Sequence, residues 1–212
     1  MQRYLSPQLA ESILSGDTEV DLVSRRQALT IFFSNIRGFT SLSGRLEPED
    51  LIELLNQYLS EMTQVVFTHG GTLDKYIGDA IMVFFGNPVH YEDHALRAVK
   101  TALAMQDRLA ELQELWLNRG QEVLTMGIGI TTGYVTVGNI GSPSRLDYTV
   151  MGNQVNLASR LADEAKAGQI LVSERTLLGV GDLVESAEID QIQLEGVSRP
   201  IRIFEINEKV NS

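Results

Sequence analysis

Lys75 and Asp79 stand four residues apart around Gly78, within Leu73-Asp74-Lys75-Tyr76-Ile77-Gly78-Asp79-Ala80. A β-rich run enters the glycine and an apolar run, 80–85, leaves it, which predicts a hairpin. A carboxylate at the lip of such a turn can leave the sheet and meet a cation. On a strand, Lys75 shares a face with the neighbours of Asp79. A second cluster is Ser34-Asn35-Ile36-Arg37-Gly38-Phe39-Thr40, where a strand runs through a small polar segment into a helix. Backbone N–H groups at such a junction can cradle phosphates. A third is the pair Asn156 and Arg160, four apart on a predicted helix and therefore on one polar face. His90, Asp93 and His94, near another helix start, have side chains of metal-ligand type. Taken singly, each group has a plainer reading: a solvated turn, an ordinary strand-to-helix junction, a water-facing helix surface, and a surface histidine in a first helical turn.

Composition bounds what this chemistry could serve. The 212 residues suffice for one large domain with a buried core. A net charge of −11 opposes a general nucleic-acid or anionic-membrane surface, though not a local cationic pocket for a phosphate ligand. The chain has no cysteine, so it forms neither disulfides nor a zinc–thiolate centre. No apolar run approaches membrane-spanning length and no secretory signal is visible, so a cytoplasmic location is expected.

The elements that must position these residues are legible as periodicities. Residues 28–33 read as a buried strand, β-branched and aromatic. Residues 49–68 and 93–112 read as long amphipathic helices with apolar stripes at helical spacing. Residues 123–131 alternate like a strand, and 133–138 read as the returning strand of a hairpin, with a loop at 141–146. A short strand at 147–150 leads through Gly152 into a third helix carrying Ala158, Leu161, Ala162 and Ala165 on its buried side. Strands at 170–173 and 201–206 bracket a looser stretch. Residues 1–26 read as a connector containing a short helix capped at Ser6-Pro7 and ended by Gly16, and 27–212 as the domain proper. The expected fold class is α+β, a ferredoxin-like βαββαβ core with extra C-terminal strands and helix, and with its helices on one face.

Three stretches in this order and spacing resemble one family. They are Phe33 to Thr40, Asp74-Lys75-Tyr76-Ile77-Gly78-Asp79-Ala80, and Asp147-Tyr148-Thr149-Val150-Met151-Gly152-Asn153-Gln154-Val155-Asn156-Leu157-Ala158-Ser159-Arg160. Over roughly residues 27–207 the chain is similar to the catalytic domain of class III nucleotidyl cyclases, particularly bacterial, cyanobacterial-like adenylate cyclases. The resemblance implies attack of a ribose 3′-hydroxyl on the α-phosphorus of ATP, with two divalent cations, Mg²⁺ or Mn²⁺, as cofactors. It assigns metal contacts to Asp79, to the main-chain carbonyl of Ile36 and to position 35. It assigns the terminal phosphates to Arg37, Gly38, Phe39 and Thr40, with Arg145 as a further phosphate contact. Lys75 and Thr149 fall at the purine-reading positions: lysine donates to adenine N1 and a threonine hydroxyl accepts from the N6 amine. Guanine has the reverse edge, so ATP is favoured over GTP. Asn156 would orient the ribose, and Arg160 would neutralise charge on the α-phosphate. In this family the metal and phosphate residues come from one protomer and the base and transition-state residues from another, which implies a homodimer with shared active sites. Regulatory domains are expected N-terminal to the catalytic domain.

Two positions depart from the family pattern. Asn35 stands where the family has its first metal-binding aspartate, and an amide oxygen brings no negative charge, so impaired catalysis is expected. Residues 194–198, Leu-Glu-Gly-Val-Ser, lack the lysine that the family often places there, and Arg199 is the nearest cation. A guanylate cyclase and a nucleotide-binding dimerisation module without turnover stand as the alternative functions.

Overall fold

The apolar run around Ile31-Phe32-Phe33 forms the central strand of a mixed sheet, β1 (Arg25–Ile36). The computed structural model describes residues 24–142, 144–193 and 199–209. The expected helix at Ser6-Pro7 and the stretch 194–198 lie outside the described residues. After β1 come α1 (Phe39–Ser43), α2 (Pro48–Thr68), β2 (Thr72–Ile77), β3 (Ala80–Phe85), α3 (His94–Asn118), β4 (Met126–Ser142), β5 (Arg145–Met151), α4 (Asn153–Glu164), β6 (Ile170–Ser173), α5 (Glu174–Val180), β7 (Val184–Ile192) and β8 (Ile201–Lys209). The strands lie in the order β2-β3-β1-β4-β6-β8-β7, with β5 paired to β4. Within it, β1-α2-β2-β3-α3-β4 is the expected βαββαβ core, and the fold class is α+β. β4 and β6 are parallel, and the other pairs are antiparallel.

β1 is apolar on both faces because both are covered. Phe32 and Ile36 meet Leu54, Tyr58, Met62 and Val66 of α2, with Ala98, Val99 and Leu109 of α3, on one face. Leu29, Ile31 and Phe33 face the other way, toward Ala158 and Ala162 of α4. The expectation that all helices share one face is therefore corrected: α4 lies alone on the opposite side.

Glycines on β4 explain how. Gly127, Gly129 and Gly133 alternate with residues of the other face and leave a furrow. A Cβ at Gly129 would lie 2.3 Å from the Ala158 carbonyl oxygen and 2.4 Å from the Ala162 nitrogen, and one at Gly127 would lie 2.6 Å from the Ala165 carbonyl oxygen. Thr131, between them, donates its hydroxyl to the Gln154 carbonyl at 2.8 Å. This also corrects the expected hairpin at 133. The strand runs through Gly133 without turning, and the chain reverses only between Ser142 and Arg145. β5 then folds back so that Tyr148 and Val150 pack with Met82 and Phe84. The loose stretch before β8 holds α5 and the strand β7, of which only Ile192 is buried.

Candidate active site

The end of β1 meets the β2–β3 turn because Ser34 pairs with Ile81, which sets Asn35 and Ile36 beside Gly78 and Asp79. Gly78 takes φ +63°, a left-handed turn geometry that glycine adopts without strain. The Ile36 backbone N–H donates to Asp79 Oδ2 at 3.1 Å. Asp79 is half-buried, and desolvation pushes its carboxyl above the ordinary value. Backbone N–H donors and Arg37 pull it back, while Asp163 adds repulsion. Asn35 donates its amide nitrogen to Asp163 Oδ1 at 2.8 Å, which leaves its amide oxygen as its free acceptor. A partly desolvated carboxylate beside an amide oxygen and a second carboxylate is an oxygen-rich corner suited to a hard divalent cation.

Arg37 is committed elsewhere. Its guanidinium donates to the carbonyls of Asn35 (3.1 and 3.2 Å), Asp163 (2.7 Å) and Ala165 (3.2 Å), which closes the C-terminal end of α4. Its backbone N–H donates to the Thr125 carbonyl at 2.8 Å. Of the expected phosphate group, Gly38, Phe39 and Thr40 remain at the first turn of α1, where helix N–H groups lack intrahelical partners. Gly38 takes φ +68° there.

The base-reading candidates meet on a residue that sequence reasoning missed. Thr149 donates its hydroxyl to Asp74 Oδ2 at 2.5 Å, and Lys75 Nζ lies 3.5 Å from Asp74 Oδ1. The Asp74 side chain is 2% exposed and that of Lys75 is 43% exposed. Burial pushes the Asp74 carboxyl up, against the Thr149 hydrogen bond and the Lys75 charge. The signal available in the sequence was an acid inside an otherwise apolar strand, next to a lysine. β5 is held in place by Asn87, whose side-chain oxygen accepts a short bond from the Tyr148 hydroxyl. Asn87 also donates to Gln27 Oε1 at 3.0 Å, and its carbonyl accepts from Thr72 at 2.7 Å.

On α4, Leu157, Ala158, Leu161 and Ala162 are buried, which turns Asn156 and Arg160 to the surface. Arg160 pairs with Glu164 at 3.0 Å. Among the described residues, no hydrogen bond or ion pair joins Asn156 or Arg160 to the Asn35–Asp79 corner or to the Lys75–Thr149 pair of the same chain. Arg145 opens β5 opposite Ser142. Arg199 lines a cavity of about 270 Å³ with Thr132, Gln154 and Arg175, which is apart from both corners. The His90–Asp93–His94 group does not converge. Asp93 binds Arg97 at 2.8 Å, His94 Nδ1 bonds to Thr30 Oγ1 at 2.7 Å, and burial pushes the His94 imidazole down.

Comparison with known proteins sets these corners in a family. Residues 22–208 match the adenylate and guanylate cyclase catalytic domain. Over 210 residues the chain is 34% identical to an adenylate cyclase of Dictyostelium discoideum, termed terminal-differentiation specific, covering 97% of this chain and 10% of that protein. It is 35% identical over 210 residues to an adenylate cyclase of Anabaena cylindrica, covering 95% of this chain and 40% of that protein. The chain thus spans less than half the length of these relatives. The structure of the adenylyl cyclase CyaB from P. aeruginosa superposes with a TM-score of 0.84 at 43% identity, covering 89% of this chain and 97% of that one. The guanylyl cyclase Cya2 gives 0.83 at 42% identity, covering 88% and 95%. With nearly its whole length matched, the chain belongs to the class III adenylate and guanylate cyclase catalytic-domain family.

Proposed function

We propose that this domain is an adenylate cyclase, converting ATP to 3′,5′-cyclic AMP and pyrophosphate in sites shared across a homodimer. The observation that carries the reading is the pairing of Lys75 and Thr149 on Asp74, a donor beside an acceptor. That order complements adenine N1 and its N6 amine and opposes the guanine edge. Asp79, the Asn35 amide oxygen and the Ile36 carbonyl would hold two divalent cations, Mg²⁺ or Mn²⁺. When bound, such cations stabilise the attacking and bridging oxygens. The first turn of α1, Gly38 to Thr40, would receive the terminal phosphates, joined by Arg145, while Arg37 braces the corner from behind. Asn156 would orient the ribose, and Arg160 would meet charge on the α-phosphate. Its exposed pair with Glu164 is of a kind worth about 0.3–0.5 kcal/mol, so exchange for a phosphate is easy.

The surface placement of Asn156 and Arg160 supports a site completed by a second copy. So do the exposed apolar Tyr76, Ile77, Leu146 and Met151 on the strands that carry the base corner. The relatives are more than twice as long as the stretch they share with this chain, which leaves room for regulatory domains in the parent protein, and their N-terminal placement rests on the family resemblance. An ATP-consuming role suits a cytoplasmic setting, and among the described residues no helix is long and apolar enough to cross a membrane.

Asn35 lowers the negative charge of the metal corner, so turnover is expected to be weak. Formation of cyclic AMP and cyclic GMP from ATP and GTP, with Mg²⁺ and with Mn²⁺, tests the reading in this chain beside Asn35→Asp. Cyclic AMP formed by both, and faster by Asn35→Asp, is the expected result. A GTP preference returns the guanylate cyclase reading. Nucleotide binding with no product from either chain returns the dimerisation module.

A further inference from the structure

We propose that Asp74 is the positioning residue that sets the polarity of the base-reading pair: it makes Thr149 an acceptor toward the ligand and thereby selects adenine over guanine. This rests on the reading of Lys75 and Thr149 as the groups that meet the purine edge.

The backbone supplies the placement. β2 pairs with β3 as Leu73 with Val83 and then Lys75 with Met82, so Asp74 is the extra residue of a β-bulge. Alternation along a regular strand would send Asp74 and Lys75 to opposite faces. The bulge re-aims one of them, and both reach the same side. Asp74 is thereby buried beneath the more exposed Lys75. A buried carboxylate persists only when partnered, and its two described side-chain partners are Thr149 and Lys75.

Hydrogen counting supplies the polarity. A threonine hydroxyl has one hydrogen, and at 2.5 Å from Asp74 Oδ2 that hydrogen is committed to the acid in a charge-assisted bond. Only lone pairs remain for a ligand. Lys75, at the looser 3.5 Å, keeps ammonium hydrogens to donate outward. A hydroxyl released from Asp74 could rotate and donate to guanine O6, and discrimination would fall.

The test is equilibrium displacement of a fluorescent ATP analogue from the full chain in Mn²⁺ by the 3′-deoxy forms of ATP, GTP and purine riboside triphosphate, the last of which lacks the amine. Without the attacking 3′-hydroxyl these ligands are not turned over, so Asn35 does not obscure the comparison. Asp74→Ala, Thr149→Val and the double variant are compared, with thermal unfolding to confirm folding; alanine is used because an asparagine oxygen would still accept the Thr149 hydroxyl. The expected result is a preference for ATP that narrows about tenfold in Asp74→Ala, as for loss of one charge-assisted hydrogen bond. Purine riboside triphosphate binding should be unchanged, and Asp74→Ala should add nothing on top of Thr149→Val. Equal weakening of all three triphosphates in Asp74→Ala, or an unchanged preference while Thr149→Val narrows it, overturns the role of Asp74 and leaves the base reading standing. A starting chain with no preference for ATP, or a Thr149→Val variant that keeps it, overturns the base reading and this inference with it.

Discussion

Asn35 gives an amide hydrogen to Asp163, and that contact governs what a carboxylate at position 35 would do. Asn35→Asp sets two carboxylates at hydrogen-bond distance, and like charges that close disfavour joint ionisation. Since Asp163 is exposed, the loss without divalent ions is expected to be modest, about 0.5–1 kcal/mol. Mg²⁺ or Mn²⁺ should then raise the melting temperature of Asn35→Asp more than that of the starting chain. Equal shifts in both chains would remove position 35 from the metal corner. Asp74 carries a second prediction. Burial raises its carboxyl, so its ionised form is penalised in the fold. Its contribution to stability is greatest below the ordinary carboxylate value and is lost as pH rises through the raised one. Between pH 4 and pH 7, urea unfolding should therefore move in favour of Asp74→Asn relative to the starting chain, and movement the other way contradicts the assignment. Asp79, Lys75, Thr149, Asn156 and Arg160 could be nominated from the sequence because each sits inside a short motif. Asp74 lies in the same motif as Lys75, but its burial against Thr149, 75 positions away, was not legible there, and Asp163 lies 128 positions from Asn35.

At the scale of elements, β4 decides where α4 can lie. Gly129→Ala would drive a methyl group to 2.3 Å from the helix backbone. Such overpacking against a main chain that cannot yield is expected to cost about 3 kcal/mol, read by urea unfolding. Gly120→Ala, at the open end of α3 with nothing within 4 Å but φ +66°, should cost only about 1 kcal/mol. Because α4 carries Asn156 and Arg160, the damage at Gly129 should extend to activity. The helices and buried strands were legible in the sequence because their apolar stripes repeat at 3.6 or at 2. Gly133 misled because glycine marks a turn and a close backbone approach equally well, and only the packed helix tells them apart. β7 left no signal because an exposed strand on the far edge has almost no buried face to alternate.

At the scale of the whole molecule, no hydrogen bond or ion pair among the described residues joins Asn156 or Arg160 to the Asn35–Asp79 corner of the same chain, so the proposed site shared across a homodimer can be tested by complementation. Chains carrying Asp79→Ala and Arg160→Ala should each be inactive alone. Mixed and allowed to exchange, they should recover about a quarter of full activity, since half the dimers then hold one intact site of two. No recovery would mean that each chain builds its own site. Asp74, Lys75 and Thr149 sit on the outermost strand of one sheet edge and on a ribbon beside the sheet, and none belongs to the apolar clusters that hold the fold. The apolar packing itself is therefore supplied by their neighbours Leu73, Tyr148 and Val150. If these residues read the base as proposed, a lineage carrying such a domain could change from one cyclic messenger to another through a handful of codons without touching an apolar core residue.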